Sequence, residues 1–226
     1  MNDALVEHSG SSAVMLTALR RTTLRTAAVL AGSKEAEETL LQALKEKSVS
    51  ALAEELIWEF WCRSGQAGAD AALQRGIRQL SSPDLMEDAL ETFTALTTSH
   101  PEFVEAWNKR ATANFLLGRY EESLEDCAVV LKRRPAHFGA LSGSGLVHLE
   151  MWKRSQPQPG ERQGESVVAG HLRRGAEEES AKRHLRLAHE AFSAALAVHP
   201  YMPSVLKNLR VTASLMGGAE DETRRL

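Results

Sequence analysis

The 226-residue sequence predicts an all-α fold: a helical solenoid of about three repeats, with an N-terminal helical extension and a C-terminal capping helix. Three observations carry this reading. Alanine, leucine, glutamate and arginine abound while β-branched residues are sparse, which favours helix over strand. Pro101, Pro135 and Pro200 each follow a helical stretch, and Pro101 and Pro135 are 34 residues apart, the length of a stacked helix-pair unit. Equivalent positions recur before each proline. Twelve residues before stand Ala89, Ser123 and Ala188; eight before, Phe93, Cys127 and Phe192; five before, Leu96, Val130 and Ala195. Small residues at the first of these positions let paired helices approach, and an aromatic fills the gap beside them.

Composition bounds the alternatives. With 43% hydrophobic and 25% charged residues, the chain has the balance of a globular protein rather than a wholly disordered one. No apolar run approaches the ~20 residues of a membrane-spanning helix, so no integral membrane segment is expected. A net charge of −3 gives no reason to expect nucleic acid as a partner. Two cysteines, Cys62 and Cys127, are too few for a disulfide-dense scaffold or a four-cysteine zinc site.

Taken in order, residues 1–33 come first. Between Glu7 and Glu35 there is no acid, and the span carries Arg20, Arg21 and Arg25 among Ser, Thr and Ala. This reads in two ways: as an organellar transit peptide, or as an exposed helix from about residue 13 to 31 in a cytosolic protein. The acids Asp3 and Glu7 count against the first, and the three arginines interrupt any apolar core of a secretory signal. A fluorescent fusion of residues 1–34 separates the two. Import into an organelle is the result expected of a transit peptide, and a cytosolic signal that of the helix.

Residues 34–66 form the predicted N-terminal extension, with Leu40, Leu41 and Leu44 on one helix and Leu52, Leu56 and Phe60 recurring on the next. Trp58 and Trp61 sit at helical spacing and read as core rather than as a stacking box. Three repeats follow over 67–202. In the central one Trp107 is the buried aromatic anchor of the first helix, Gly118 the turn glycine, and Tyr120 opens the second helix. Segment Trp107–Tyr120 with Ser123, Cys127 and Pro135 closely resembles the tetratricopeptide repeat, departing at Arg110 and Asn114, where leucine and an aromatic are usual. In the first repeat Gly76 takes the helix-crossing position, and in the longer turn that follows Ser82-Pro83 reads as N-cap and N1 of a helix. In the third, Leu141 and Gly145 match while Trp152 replaces the turn glycine. Pro135 and Pro200 are 65 residues apart, one repeat plus 31, which places an insertion of loop composition at about 153–180. Residues 203–226, with Val205, Leu206, Leu209 and Leu215, read as capping helix and tail.

A narrower resemblance rests on Ile57–Gly65 followed by Leu73-Gln74-Arg75-Gly76, on Trp107–Thr112, and on Pro135–Gly143. Together these are similar to a small family of tetratricopeptide proteins of alphaproteobacteria and of plant and algal plastids, over about residues 35–152 and 181–215. Arg110 belongs to that family's motif; the insertion departs from its compact third repeat. The resemblance bears on fold and origin rather than on activity, and its eukaryotic members are what make the chloroplast, ahead of the mitochondrion, the expected organelle.

Candidate chemistry is sparse. The run Gly139–Gly145 lacks the Lys-Ser/Thr of a phosphate-binding loop and follows no strand, so it reads as close helix packing or as a narrow groove floor. His189-Glu190 begins a zinc-protease pattern, but Ser193 stands where the second histidine must be. Cys127 reads as a small core residue. No catalytic set, metal site or cofactor site is predicted, and the chain is read as a non-enzymatic scaffold or adaptor. Its partner is a protein or peptide held in the groove lined by the first helices. The alternative is a structural subunit or assembly factor of a larger complex. The repeat register assigns the groove to Asp70 and Leu73 in repeat one, Glu105, Asn108, Thr112 and Phe115 in repeat two, and Gly139, Ser142, Gly143 and Leu146 in repeat three. The domains that clamp chaperone tails resemble this one in fold but carry basic residues where Gly139 and Gly143 stand here, so binding to such tails is not expected.

Overall fold

The structure, a computed structural model, describes Thr22, Thr26 and residues 34–156 and 167–223, without side chains over 167–174 and 218–223. From residue 34 onward the described residues form nine α-helices and no strand: α1 Lys34–Ala43, α2 Ser50–Trp61, α3 Ala67–Gln79, α4 Met86–Ser99, α5 Val104–Leu116, α6 Tyr120–Arg133, α7 Phe138–Arg154, α8 Val167–Val198 and α9 Pro203–Thr223. Of the predicted targeting segment only Thr22 and Thr26, both helical, are described; the rest lies outside the described residues.

The chain divides into two compact units. One runs to Ala71 and includes Val198–Tyr201. Its core is the apolar side of α1 and α2, with Leu40, Leu44, Ile57 and Trp61 buried. Trp61 donates its indole N–H to Glu37 Oε1 at 2.6 Å, and Trp58 stands edge-on to it with ring centroids 5.3 Å apart. Both tryptophans are therefore packing elements, as their helical spacing predicts.

The other unit holds Ala72–Ala197 and the chain from Met202. Three helix pairs, α3/α4, α5/α6 and α7/α8, follow one another, and α9 closes the last by setting Val205 and Leu209 against Leu185, Ala188 and Phe192. The pairs share one packing device. A Cβ added at Gly76 would lie 2.5 Å from Phe93 Cε1, and one at Gly145 only 2.6 Å from Phe192 Cε1. Glycine in the first helix and phenylalanine in the second thus make a matched pair in repeats one and three. Repeat two carries two small residues, Ala111 and Cys127, at the corresponding positions. Gly145→Ala should destabilise by about 1–3 kcal/mol through overpacking, although alanine is intrinsically the better helix former. Gly175→Ala, where the new Cβ meets nothing within 4 Å, is the control and should stabilise slightly. Equal shifts in denaturant midpoint for the two would contradict the matched-pair account.

Gly118 has φ +74°, the left-handed conformation that the turn between α5 and α6 requires. The two departures from the repeat pattern prove to be partners. Arg110 grips Asp126 through Nε at 2.9 Å and Nη2 at 2.5 Å, its Nη1 donates to Thr97 Oγ1 at 3.0 Å, and Asn114 Nδ2 donates to the same carboxylate at 3.2 Å. Asp126 is buried. A polar network across α4, α5 and α6 therefore replaces the apolar contacts usual there.

Two expectations are corrected. Trp107 is half-buried rather than fully buried: it packs against Val104, Val130 and Ala140, donates to the Pro101 carbonyl at 2.9 Å, and lies under the Arg110 guanidinium. As the sequence predicts, Ser82 stands at the N-cap and Pro83 at the start of a helix, here the 3-10 turn Pro83–Leu85 that leads into α4. The span read as a loop at 153–180 is helical at both ends, since α7 runs to Arg154 and α8 begins at Val167; its middle, 157–166, lies outside the described residues. Glu177–Glu179 sit on exposed helix, where Lys182 pairs with Glu178 one turn on, so no core is needed to hold them helical.

Candidate functional site

The first helices of repeats two and three present matching faces. Asn108, Ala111, Thr112 and Phe115 on α5 and Gly139, Ser142, Gly143 and Leu146 on α7 each follow the i, i+3, i+4, i+7 spacing of one helical stripe. Together with Ser123 and Cys127 of α6 they enclose a cavity of about 180 Å³. Seven of the ten residues assigned from sequence meet here: Asn108, Thr112, Phe115, Gly139, Ser142, Gly143 and Leu146.

Among the described residues no charged side chain lines this cavity. Its hydroxyls are oriented by backbone carbonyls: Thr112 donates to Asn108 O at 3.1 Å, Ser123 to Ala111 O at 2.8 Å and Ser142 to Gly139 O at 3.0 Å. Each oxygen keeps lone pairs with which to accept from a ligand. Cys127 forms part of the floor. Its Sγ lies 3.9 Å from where a Gly143 Cβ would stand, so the glycine is what leaves the sulfur uncovered on that side. Burial first, and then the Asp126 charge, push the Cys127 thiol up to about 12. It is a neutral contact surface and not a nucleophile.

The other three assigned residues are elsewhere, and each is a correction. Leu73 is fully buried in the core. Asp70 accepts from Ser64 N at 2.7 Å and Ser64 Oγ at 2.6 Å, tying the chain that enters α3 to that helix's first turn. Glu105 is fully buried and belongs to the foundation of the site. It accepts from Asn108 Nδ2 at 3.0 Å and pairs with Lys109 at 3.0 Å and His137 Nε2 at 3.1 Å. His137 Nδ1 accepts from Ala140 N at 3.0 Å, capping α7. One ring nitrogen accepting fixes the tautomer, so Nε2 carries the proton and donates to Glu105. Burial by itself would raise the Glu105 pKa, but the His137 hydrogen bond and the Lys109 charge outweigh it and hold the carboxyl at about 2. The buried ion thus links α5 to the N-terminus of α7 and sets Asn108 at the cavity wall.

Sequence spacing missed Ala111, Ser123 and Cys127, which belong to repeat-core positions and enter the cavity only because small residues surround them. It also missed a histidine pair. His148 on α7 and His184 on α8, 36 residues apart, bring their Nδ1 atoms to 3.1 Å. Burial, then His184 and Arg183, hold His148 down at about 4, and burial and Arg183 lower His184 against an opposing effect of Glu121. One nitrogen donates and the other accepts, so the pair is a neutral bridge between the two helices. Among the described residues no group of three or more His, Cys, Asp or Glu side chains is placed to hold a metal ion, and no helix is long and apolar enough to cross a membrane.

Set beside known proteins, residues 86–138, which span α4, the α5/α6 pair and the start of α7, match the tetratricopeptide repeat family. A TPR repeat-containing protein of Rhizobium etli, an alphaproteobacterium, is 35% identical over 121 residues, 50% of this chain and 57% of the relative. The chain therefore spans little more than half the length of the curated relative it matches. A crystallised Bacteroides ovatus protein, to which protein binding is only provisionally ascribed, aligns over 89% of this chain and 98% of its own at 11% identity, with a TM-score of 0.49.

Proposed function

We propose that this tetratricopeptide-repeat protein is a non-enzymatic adaptor that holds a peptide segment of a protein partner across α5 and α7. The supporting observation is the cavity itself. Two matched helical stripes converge on a pocket lined by apolar side chains and oxygen acceptors, which suits a backbone read by hydrogen bonds and an apolar side chain used as an anchor. With no charge in the lining, affinity should change less than about threefold between low and high salt.

Gly143→Arg is the variant that tests it. The new Cβ meets only Cys127 Sγ at ordinary contact distance, so the helix should accommodate it, while the long side chain occupies the cavity. In a peptide-display selection the variant should lose the ligands that the natural protein enriches, with helicity and melting temperature nearly unchanged. Retention of every ligand by the folded variant would reject the site. Asn108→Ala is a poorer probe, since it also removes a donor from buried Glu105.

A second reading, as a lasting subunit or assembly factor of a larger complex, draws support from α9, where Leu206 and Val211 are 37% and 42% exposed on the face that also carries Lys207 and Arg210. Salt-resistant co-purification in a fixed ratio would favour it over transient capture. An organellar setting belongs to the proposal on either reading.

A further inference from the structure

We infer that the cavity between repeats two and three is a receptor for one uncharged aromatic side chain of the bound partner, supplying from outside the ring that repeat two lacks. The inference rests on the adaptor reading and specifies what its site selects.

The repeats themselves point to it. Repeats one and three each place a phenyl ring against a glycine: Phe93 on Gly76 and Phe192 on Gly145. Both rings are fully buried. Repeat two has Cys127 at the phenylalanine position and Ala111 at the glycine position, an exchange that removes a six-membered ring and returns only one sulfur and one methyl group. Space around Cys127 is not recovered by a larger neighbour, because α7 brings Gly143 to that side. What remains is the cavity of about 180 Å³. An enclosed, purely apolar cavity of about 150 Å³ takes up benzene, so the volume here admits one ring, in a half-open cavity whose lining mixes apolar side chains with hydroxyls. The walls suit a ring: Phe115 can meet it edge to face, and the neutral Cys127 sulfur is polarizable. The absence of any charged lining residue disfavours an acidic or basic anchor, whose desolvation would go uncompensated.

Toluene and 3-methylindole, standing for phenylalanine and tryptophan side chains, are the probes, with methylcyclohexane as an aliphatic of similar size. Titrated into the full chain and followed by amide chemical shifts, the aromatic probes should saturate with shifts centred on Ala111, Gly143 and Ser142. They should bind at least about fivefold more tightly than methylcyclohexane, a preference within what one ring contact supplies. Ala111→Gly combined with Cys127→Phe copies the matched pair of the flanking repeats and fills the space from within; it should weaken the aromatic probes at least about tenfold. Should that double variant fail to fold, Gly143→Leu fills the same space from the opposite wall, where only the Cys127 sulfur is near. Equal binding of methylcyclohexane, or undiminished aromatic binding in a filled variant, would overturn the inference. If these fail while Gly143→Arg still abolishes peptide capture, the adaptor site stands and only its aromatic selectivity falls. If Gly143→Arg also changes nothing, both fall.

Discussion

Asp126→Ala is expected to lower the unfolding free energy by about 3–5 kcal/mol, the cost of leaving a buried ion without its partner. The carboxylate is 2% exposed and receives two N–H groups from Arg110 and one from Asn114, so its removal strands donors from two side chains at once. The Arg110 side chain is 22% exposed and can reach water in part, which places the value toward the lower end of that range. Replacing both charges, Arg110→Met with Asp126→Leu, should recover part of the loss, because apolar residues here need no ionic partner, while the buried Asn114 amide still loses its acceptor. Chemical denaturation of the two single variants and the double variant supplies the cycle. A coupling energy below about 1 kcal/mol would mean that the network is surface decoration and not the clamp between α4, α5 and α6.

Acid should unclamp the site from beneath. Glu105 has its pKa held at about 2 against a value of 4.5 when unperturbed. A carboxyl depressed in the folded state contributes stability that is complete above the unfolded value and disappears as pH falls through the folded one. The window is thus pH 4.5 down to 2, and the contribution at stake is about 3 kcal/mol. Glu105→Gln has no such titration, so the natural protein's advantage over this variant should shrink by that amount across the window. Urea unfolding at intervals between pH 2.5 and 6 would measure it. A constant difference would show that the links to His137 and Lys109 do not depend on ionised Glu105. Because His137 also caps α7 through Nδ1, the same loss should loosen the wall that carries Gly139 and Gly143.

Much of this architecture is written in local spacing. The 34-residue interval between Pro101 and Pro135, the small and large positions before each proline, and Gly118 in its turn follow from how far a helix pair extends and which residues let two helices touch. Seven cavity residues were legible for a related reason: a helical repeat puts residues three and four apart on one face, so register alone predicts what the first helices share. Glu105 and Leu73 obey the same register and yet are buried, since a stripe's edge turns inward by an amount that depends on how the next helix lies. Nothing in their neighbours along the chain reports it.

Loop composition misled at 167–180. Glycine and like charges argue against a packed core, but a helix continuous with a well-packed one can extend without further core, with Lys182 and Glu178 pairing along its exposed face. The all-α class, the repeat frame and the two helical stripes follow from residue spacing alone, because periodicity is a property of the backbone helix and needs no partner. Packing in three dimensions is what makes Arg110, Asn114, Thr97 and Asp126 compensate one another, brings His148 to His184, and leaves a cavity among Ala111, Cys127 and Gly143. Those outcomes depend on distances between residues 12 to 36 positions apart, and on space that no one side chain fills.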